Sequence, residues 1–350
     1  MSDQPLNRMT PARLRSFVAT CIENHWALLV TGSPGIGKSD IIAQGVADAG
    51  ADSIISHPVV SDPTDAKGLP WPAADHESAT FLPFGDLARA LAVTRPTAWV
   101  LDDLGQATDA VQASFMQPLL THRAGGRQLP EDLVFLAATN RRVDRAAVKG
   151  MIEPVKSRFL SIIELVPDID QWCAWALDHG ICAEVVAFIR FRPELLDAFE
   201  PSADIVNSPI PRTWSHVSQL MSVELDPAIR AAAICGAVGD AAGGEFLAFL
   251  SLWAELPNID QITIDPDSAA IPAQPGTLYA VCTALGRRVT AGNFPRIARY
   301  AERLTDANHG EFAALLLRDC LRSEPAVCNT TAFVRITTGP LQGLISGDAS

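Results

Sequence analysis

Residues 32–39 read Gly-Ser-Pro-Gly-Ile-Gly-Lys-Ser and fit the pattern GxxxxGK[ST], which narrows the possible folds of this chain more than any other feature. Gly32, Gly35 and Gly37 stand where a Cβ would obstruct a tight turn, so backbone N–H groups can curl around the oxygens of a phosphate. Ser33, Pro34 and Ile36 complete the loop. Lys38 places a cation on β- and γ-phosphates, and Ser39 offers a hydroxyl to Mg²⁺. Residues 26–30 form the short apolar run of a buried strand, and residues 38–49 suit a helix whose positive dipole end faces the loop. With average glycine content, a chance match has odds on the order of one percent. The strand–loop–helix setting lowers them further.

A loop of this kind needs an acid at the end of a neighbouring strand to hold the metal. Residues 98–103, Ala-Trp-Val-Leu-Asp-Asp, supply it. Asp102 emerges at the strand tip and would reach Mg²⁺ through water. Asp103 beside it would orient or deprotonate an attacking water. Residues 133–138 and 161–166 read as further buried strands, and helical stretches lie between. Buried strands alternating with helices predict an α/β fold, a parallel sheet with helices on both faces. Residues 10–23 form an amphipathic helix, with Pro11 at its first position and Leu14, Phe17, Val18, Cys21 and Ile22 on one face. Residues 53–60 read as a strand, 62–84 as a long loop, 109–120 as one helix and 124–130 as a turn.

Past residue 167 strands vanish and helical patterns dominate, over 170–179, 183–189, 213–223, 227–237 and 244–254. A polar, proline-rich segment, 257–275, precedes a last helical portion, 277–321. The expected domains are therefore an α/β core over 1–167, a helical domain over 168–256, and a linker with a helical C-terminal portion over 257–350.

The formal charge of −13 argues against a protein that coats nucleic acid through phosphate contacts. No apolar run is long enough for a membrane span, and residues 1–10 are not read as a secretory signal. The seven cysteines form no CxxC pair, so reduced thiols in a cytoplasmic protein are expected. The seven histidines show no zinc-ligand spacing.

In the order of these motifs the sequence resembles AAA+ ATPases, and more closely their MoxR-type branch, over roughly residues 26–223. Besides the phosphate loop and the acidic strand end, three segments carry the resemblance. Ala137-Ala138-Thr139-Asn140 is similar to sensor 1, which implies Asn140 between the second acid and the γ-phosphate. Glu153-Pro154-Val155-Lys156-Ser157-Arg158-Phe159 is similar to the segment whose arginine reaches a neighbouring subunit's ATP, which implies Arg158 as an arginine finger. Arg141, Arg142 and Arg145 are the alternatives. Pro211-Arg212-Thr213-Trp214 is similar to sensor 2, which implies Arg212 touching nucleotide from a helical lid over 168–256, with ATP and Mg²⁺ between core and lid.

The resemblance implies a homo-oligomeric ring, a hexamer, that hydrolyses ATP to remodel a partner protein, with a von Willebrand factor A domain as the partner class it suggests. The sequence departs from the family at Asp103, where glutamate is usual. The carboxylate then falls roughly 1 Å short, a displacement that can cost up to about a hundredfold in rate. A nucleotide-dependent assembly switch with little or no turnover therefore stands as the alternative. The segment 62–84, with Lys67-Gly68-Leu69-Pro70-Trp71, would face a central pore or partner, or be a packed surface loop. The arginines of 123–129 would meet a partner or water.

Overall fold

Apolar runs fill most of three strands, as a sheet covered on both faces requires. In the computed structural model these are β2 (Leu28–Gly32), β6 (Thr97–Leu101) and β9 (Leu133–Asn140). The structure describes residues 6–74, 77–144, 150–254, 256 and 259–338. The chain divides into two compact units. The first comprises Met1–Asp168, Phe199–Ile205 and Ile210–Arg212; the second comprises Ile169–Ala198, Val206–Pro209 and Thr213–Ser350.

The first unit is built on a six-stranded, wholly parallel sheet. Its strands are β1 (Arg8–Met9), β2, β3 (Asp52–Ser56), β6, β9 and β10 (Ser161–Leu165), in the spatial order β1-β10-β2-β9-β6-β3. This is the parallel-sheet core of a P-loop NTPase fold. Strand β1 has only two residues, too few to show a period in the sequence. Alternate side chains serve opposite faces. Leu28, Val30, Val100, Leu136 and Ile163 pack on α1 (Pro11–Glu23) and α2 (Lys38–Asp48). Leu29, Trp99, Leu101, Leu133 and Phe135 meet the other face. There lie α3 (Pro63–Lys67), α4 (Gly85–Leu91), α5 (Asp109–Ser114), α6 (Met116–Thr121) and α7 (Glu153–Lys156). Trp99 stacks on Phe135 at 5.4 Å and donates through its indole N–H to Ser56 Oγ at 2.8 Å.

Several expectations need correction. Residues 62–84 are not a plain loop. Asp62 caps α3 with a capping box, and an antiparallel ribbon follows, β4 (Leu69–Pro72) with β5 (Ala79–Leu82). Pro70 and Pro72 argue against a central strand, but a two-stranded ribbon leaves one edge of β4 free of ladder demands. The ribbon is exposed throughout, Trp71 to 59%. The helix expected over 109–120 breaks at Phe115 into α5 and α6. Pro118 lacks the N–H, and its ring opposes the carbonyl four residues back, at Ser114. The run expected over 53–60 stops as a strand at Ser56, and Pro58–Val60 is a 3-10 turn. Residues 124–130, expected as a turn, contain all but the first residue of a small hairpin, β7 (Arg123–Ala124) with β8 (Arg127–Gln128), and Arg123 folds back to donate to Gly126 O at 2.9 Å.

The second unit is helical in its described elements. These are α8 (Ile169–Asp178), α9 (Ala183–Phe191), α10 (Pro211–Met221, from Thr213), α11 (Pro227–Val238), α12 (Asp240–Ala254), α13 (Ile259–Ile264), α14 (Pro275–Arg287), α15 (Phe294–Asp306), α16 (Gly310–Ser323) and α17 (Thr331–Thr338). Arg190 of α9 pairs with Asp319 of α16 and donates to Thr283 of α14, both arginine and acid more than nine-tenths buried. The segment 257–275 is not a bare linker. It holds α13, and Tyr300 and Arg303 of α15 donate to the carbonyls of Ala270 and Ala269 at 3.0 and 2.6 Å. Among the described residues no helix is long and apolar enough to cross a membrane.

Gly45 is where α2 meets α1. A Cβ there would lie 2.6 Å from Val18 Cβ and 2.7 Å from Arg15 O. Gly45→Ala is therefore expected to destabilise the protein by about 1–3 kcal/mol through overpacking. That lowers the thermal midpoint by roughly 2–4 °C per kcal/mol for a unit of this size. Gly244→Ala, on an exposed turn of α12 with nothing within 4 Å of the added carbon, is the control and should not destabilise. Equal midpoints for wild type and Gly45→Ala would refute the close approach.

Candidate functional site

Parallel strands carry all their carboxyl ends to one side, and β2, β9 and β6 are neighbours there. Gly32 of β2 is the register partner of Asn140 of β9, and Leu101 of β6 is the partner of Ala137. The loop 32–39, Asn140 and the acids Asp102 and Asp103 therefore leave the sheet along one rim. Gly35 has φ +69° and Gly37 φ +102°, values that L side chains rarely adopt. A Cβ on Gly35 would also lie 2.5 Å from Ile210 Cδ1, and Arg212 N donates to Gly35 O at 3.3 Å. The segment Ile210–Arg212 thus belongs to the first unit and rests on the loop.

Lys38 opens α2, an eleven-residue helix, and its side chain is buried. Its ammonium donates to Gly32 O at 3.2 Å, Ser33 O at 2.9 Å and Asn140 Oδ1 at 2.7 Å, which engages all three of its protons. Burial pushes its pKa down to about 8, against the opposing pull of Asp103, Asp102 and Asp144 and with a smaller push from Arg212. Ser39 Oγ donates to both carboxylate oxygens of Asp102, at 3.0 and 2.9 Å.

The Ser39 hydroxyl and the Asp102 carboxylate are hard oxygen donors of the kind Mg²⁺ selects. They lie 2.9–3.0 Å apart, so one hydrated cation would meet the hydroxyl directly and the carboxylate through water. These residues therefore fit a hydrated Mg²⁺. Among the described residues no group of three or more His, Cys, Asp or Glu gathers to hold a metal with protein ligands alone.

Asp103 adopts φ +57°, in the left-handed region that Asp tolerates better than most residues. Its carboxylate accepts from Gln106 Nε2 at 2.6 Å, and Thr139 Oγ1 lies 3.3 Å from Gln106 Oε1. Gln106 was not among the residues expected at the site. Its spacing of three from Asp103 is a signal only once a turn, here the 3-10 turn Leu104–Gln106, is known to follow the strand. Asp144 was missed too. It is buried near Lys38 and bonded to Arg141 at 2.9 and 3.0 Å.

The remaining expected residues lie as follows. Arg212 is exposed, on the segment against Gly35. Arg158 is not drawn to the loop. It donates to the carbonyls of Met116, at 3.0 Å, and Pro154. Arg141 is held inside its own unit by Asp144 and by Glu164, which also pairs with Arg8. Arg142 is exposed, and Arg145 lies outside the described residues.

No family model matches the chain, and no curated protein matches it in sequence. Among solved structures it is similar to NtrX from Brucella abortus in complex with ATP, with 14% identity and a TM-score of 0.42 over 90% of this chain and 69% of that one. The ADP complex of NtrX gives 15% identity and a TM-score of 0.42 over 87% and 68%. The RuvB Holliday junction branch migration motor of Thermotoga maritima gives 11% identity and a TM-score of 0.35 over 85% and 76%. At TM-scores below 0.5, it is the chain's own residues that carry the functional reading.

If the loop 32–39 holds a nucleotide, the burial of Lys38 gives its binding a pH dependence. Phosphate binding favours the ammonium, which in the free protein begins to lose its proton near pH 8 rather than at the ordinary 10.5. Affinity for Mg·ATP is expected to be level below pH 8 and to fall above it, with a limiting slope of about tenfold per pH unit. For folding the sign is reversed. The unfolded chain keeps the proton longer, so this residue raises the free protein's stability between about pH 8 and 10.5. Calorimetric titration from pH 7 to 9.5 checks the first statement; an affinity that stays level to pH 9.5 contradicts it.

Proposed function

We propose that the chain is a Mg²⁺-dependent ATPase of the AAA+ type, of the MoxR-type branch, that works in a homo-oligomeric ring to remodel a partner protein. The observation that carries this reading is the constellation at the tips of three adjacent parallel strands. Lys38 bonds Asn140, Ser39 bonds Asp102, and Asp103 stands next in the chain. The order of the motifs along the sequence supports the finer assignment.

In the proposed reaction the loop 32–39 and the amino end of α2 hold the phosphates, with Lys38 neutralising charge on the β and γ groups. Mg²⁺, when bound, would neutralise phosphate charge beside Ser39 and Asp102. Asp103 accepts a proton from water as the water oxygen bonds to the γ-phosphorus. The bond from that phosphorus to the β–γ bridging oxygen breaks, leaving ADP and inorganic phosphate. Asn140 would orient the water or the γ-phosphate, and Arg212 would meet the nucleotide from the segment on Gly35. Arg158 would act on the ATP of the next subunit, which requires a closed ring, a hexamer on this reading. The partner would be a protein, and a von Willebrand factor A domain is the class that the resemblance implies.

A second reading has a specific observation in its favour. Position 103 holds aspartate, one methylene shorter than glutamate, on backbone in the left-handed region at φ +57°. A site so arranged would serve a switch that binds ATP and barely turns it over. Steady-state phosphate release separates the two readings.

Lys38→Ala is expected to weaken Mg·ATP binding by roughly 30- to 160-fold, the worth of about 2–3 kcal/mol for charged hydrogen bonds. Asp103→Asn should bind ATP normally and release no phosphate. Unchanged affinity in the first variant, measured by calorimetry, removes the ATP site. Wild-type turnover in the second removes Asp103 from the chemistry.

The ring is tested by mixing. Arg158→Ala should bind ATP and lose about 10³ to 10⁵ in rate. Adding Lys38→Ala subunits, which lack ATP but keep Arg158, should restore part of the activity at mixed interfaces. A protein that stays monomeric with ATP at micromolar concentration, with no rescue on mixing, eliminates the ring.

A further inference from the structure

We propose that Gln106 is the positioning residue of Asp103: its side-chain amide fixes one carboxylate oxygen and so aims the other at the attacking water. The inference rests on the assignment of Asp103 as the proton acceptor made above.

Three observations carry it. The bond from Gln106 Nε2 to Asp103 Oδ1 is 2.6 Å, short for N–H···O and in keeping with a charged acceptor. A carboxylate only accepts, so the amide can face it only with its nitrogen, and Gln106 Oε1 is left turned toward Thr139 Oγ1 at 3.3 Å. The amide is thus oriented by chemistry at one end and by β9 at the other. The turn itself is built for the placement. Gln106 N donates to Asp103 O at 3.0 Å, and a Cβ on Gly105 would lie 2.2 Å from Thr139 Oγ1, so only glycine lets the turn lie this close to the tip of β9.

The two adjacent acids are divided between different partners. Asp102 takes the Ser39 hydroxyl and the backbone N–H of Asp103, while Asp103 takes Gln106. Pinning Oδ1 stops rotation of the carboxylate and leaves Oδ2 with a defined direction. An acid one methylene shorter than glutamate has less freedom to find the water by itself, so its direction must be set by a neighbour. Thr139 and Asn140 are consecutive on β9, and they hold Gln106 and Lys38 respectively, so one strand tip registers both the acid and the phosphate cation.

The test is steady-state hydrolysis with separate measurement of ATP affinity. Gln106→Glu keeps the shape of the side chain but replaces the N–H donor by a like charge. Gln106→Ala removes both. Each is expected to lower kcat by roughly 10- to 100-fold, the cost of a misplaced reacting group, with KM and the calorimetric Kd for Mg·ATP within about threefold of wild type. Retained affinity certifies that the loop 32–39 is folded. Thr139→Val, which removes the hydroxyl, should lose a few fold in kcat, and Thr139→Ser, which keeps it, should lose less. Wild-type kcat in Gln106→Glu, or a loss of affinity as large as the loss of kcat, overturns the proposal. Asp103→Asn run beside these variants separates the levels. If it is dead while Gln106→Glu is fully active, only the role of Gln106 fails. If it hydrolyses like wild type, or wild type itself shows no turnover, the assignment of Asp103 fails and the proposal with it.

Discussion

Gly32 and Asn140 face each other across β2 and β9, and the site depends on that register. A one-residue slip would exchange the faces of the strand and bury the wrong side chains, so the two apolar layers on either side of the sheet enforce it. Once it is enforced, the loop 32–39 must leave the sheet beside Asn140, and Asp102 must emerge one strand further along. The geometry of Lys38, Ser39, Asn140 and Asp102 is thus a consequence of core packing well below the rim.

Lys38 is the point of highest electrostatic cost at that rim. Its ammonium is buried, and three acceptors take its protons, two of them backbone carbonyls of the loop itself. Burial still lowers its pKa to about 8. A cation held this way is poised for an anion, because a phosphate would supply charge that the carbonyls supply only as dipoles. Asp102, Asp103 and Asp144 act in the same sense from a greater distance. Arg141 in turn neutralises Asp144 and reaches Glu164, so Asp144 is linked through side-chain bonds to the edge strand β1.

The corrections to the sequence reading share a cause. Prolines at 70 and 72 argue against strands, yet β4 forms because a ribbon has an edge where a missing N–H costs nothing. The segment 257–275 looks like a linker because its polar residues hide Ile259 and Ile262, whose burial comes from helices distant in the chain. Pro118 does carry a local signal, but the apolar period across 109–120 masks it until the helix is seen to restart after Phe115.

Local chemistry was sufficient for the α/β core and for the helical remainder. Glycine spacing, apolar runs and the lysine–serine pair are properties of contiguous residues, and the backbone answers them within a few positions. Tertiary structure alone decided that Asn140 bonds Lys38, that Gln106 holds Asp103, and that Asp144 lies near the buried ammonium. Those contacts join residues brought together by strand order and by a turn's handedness. Neither leaves a trace in spacing, because parallel neighbours in the sheet are set by which faces can be buried together and not by which residues are adjacent in the chain.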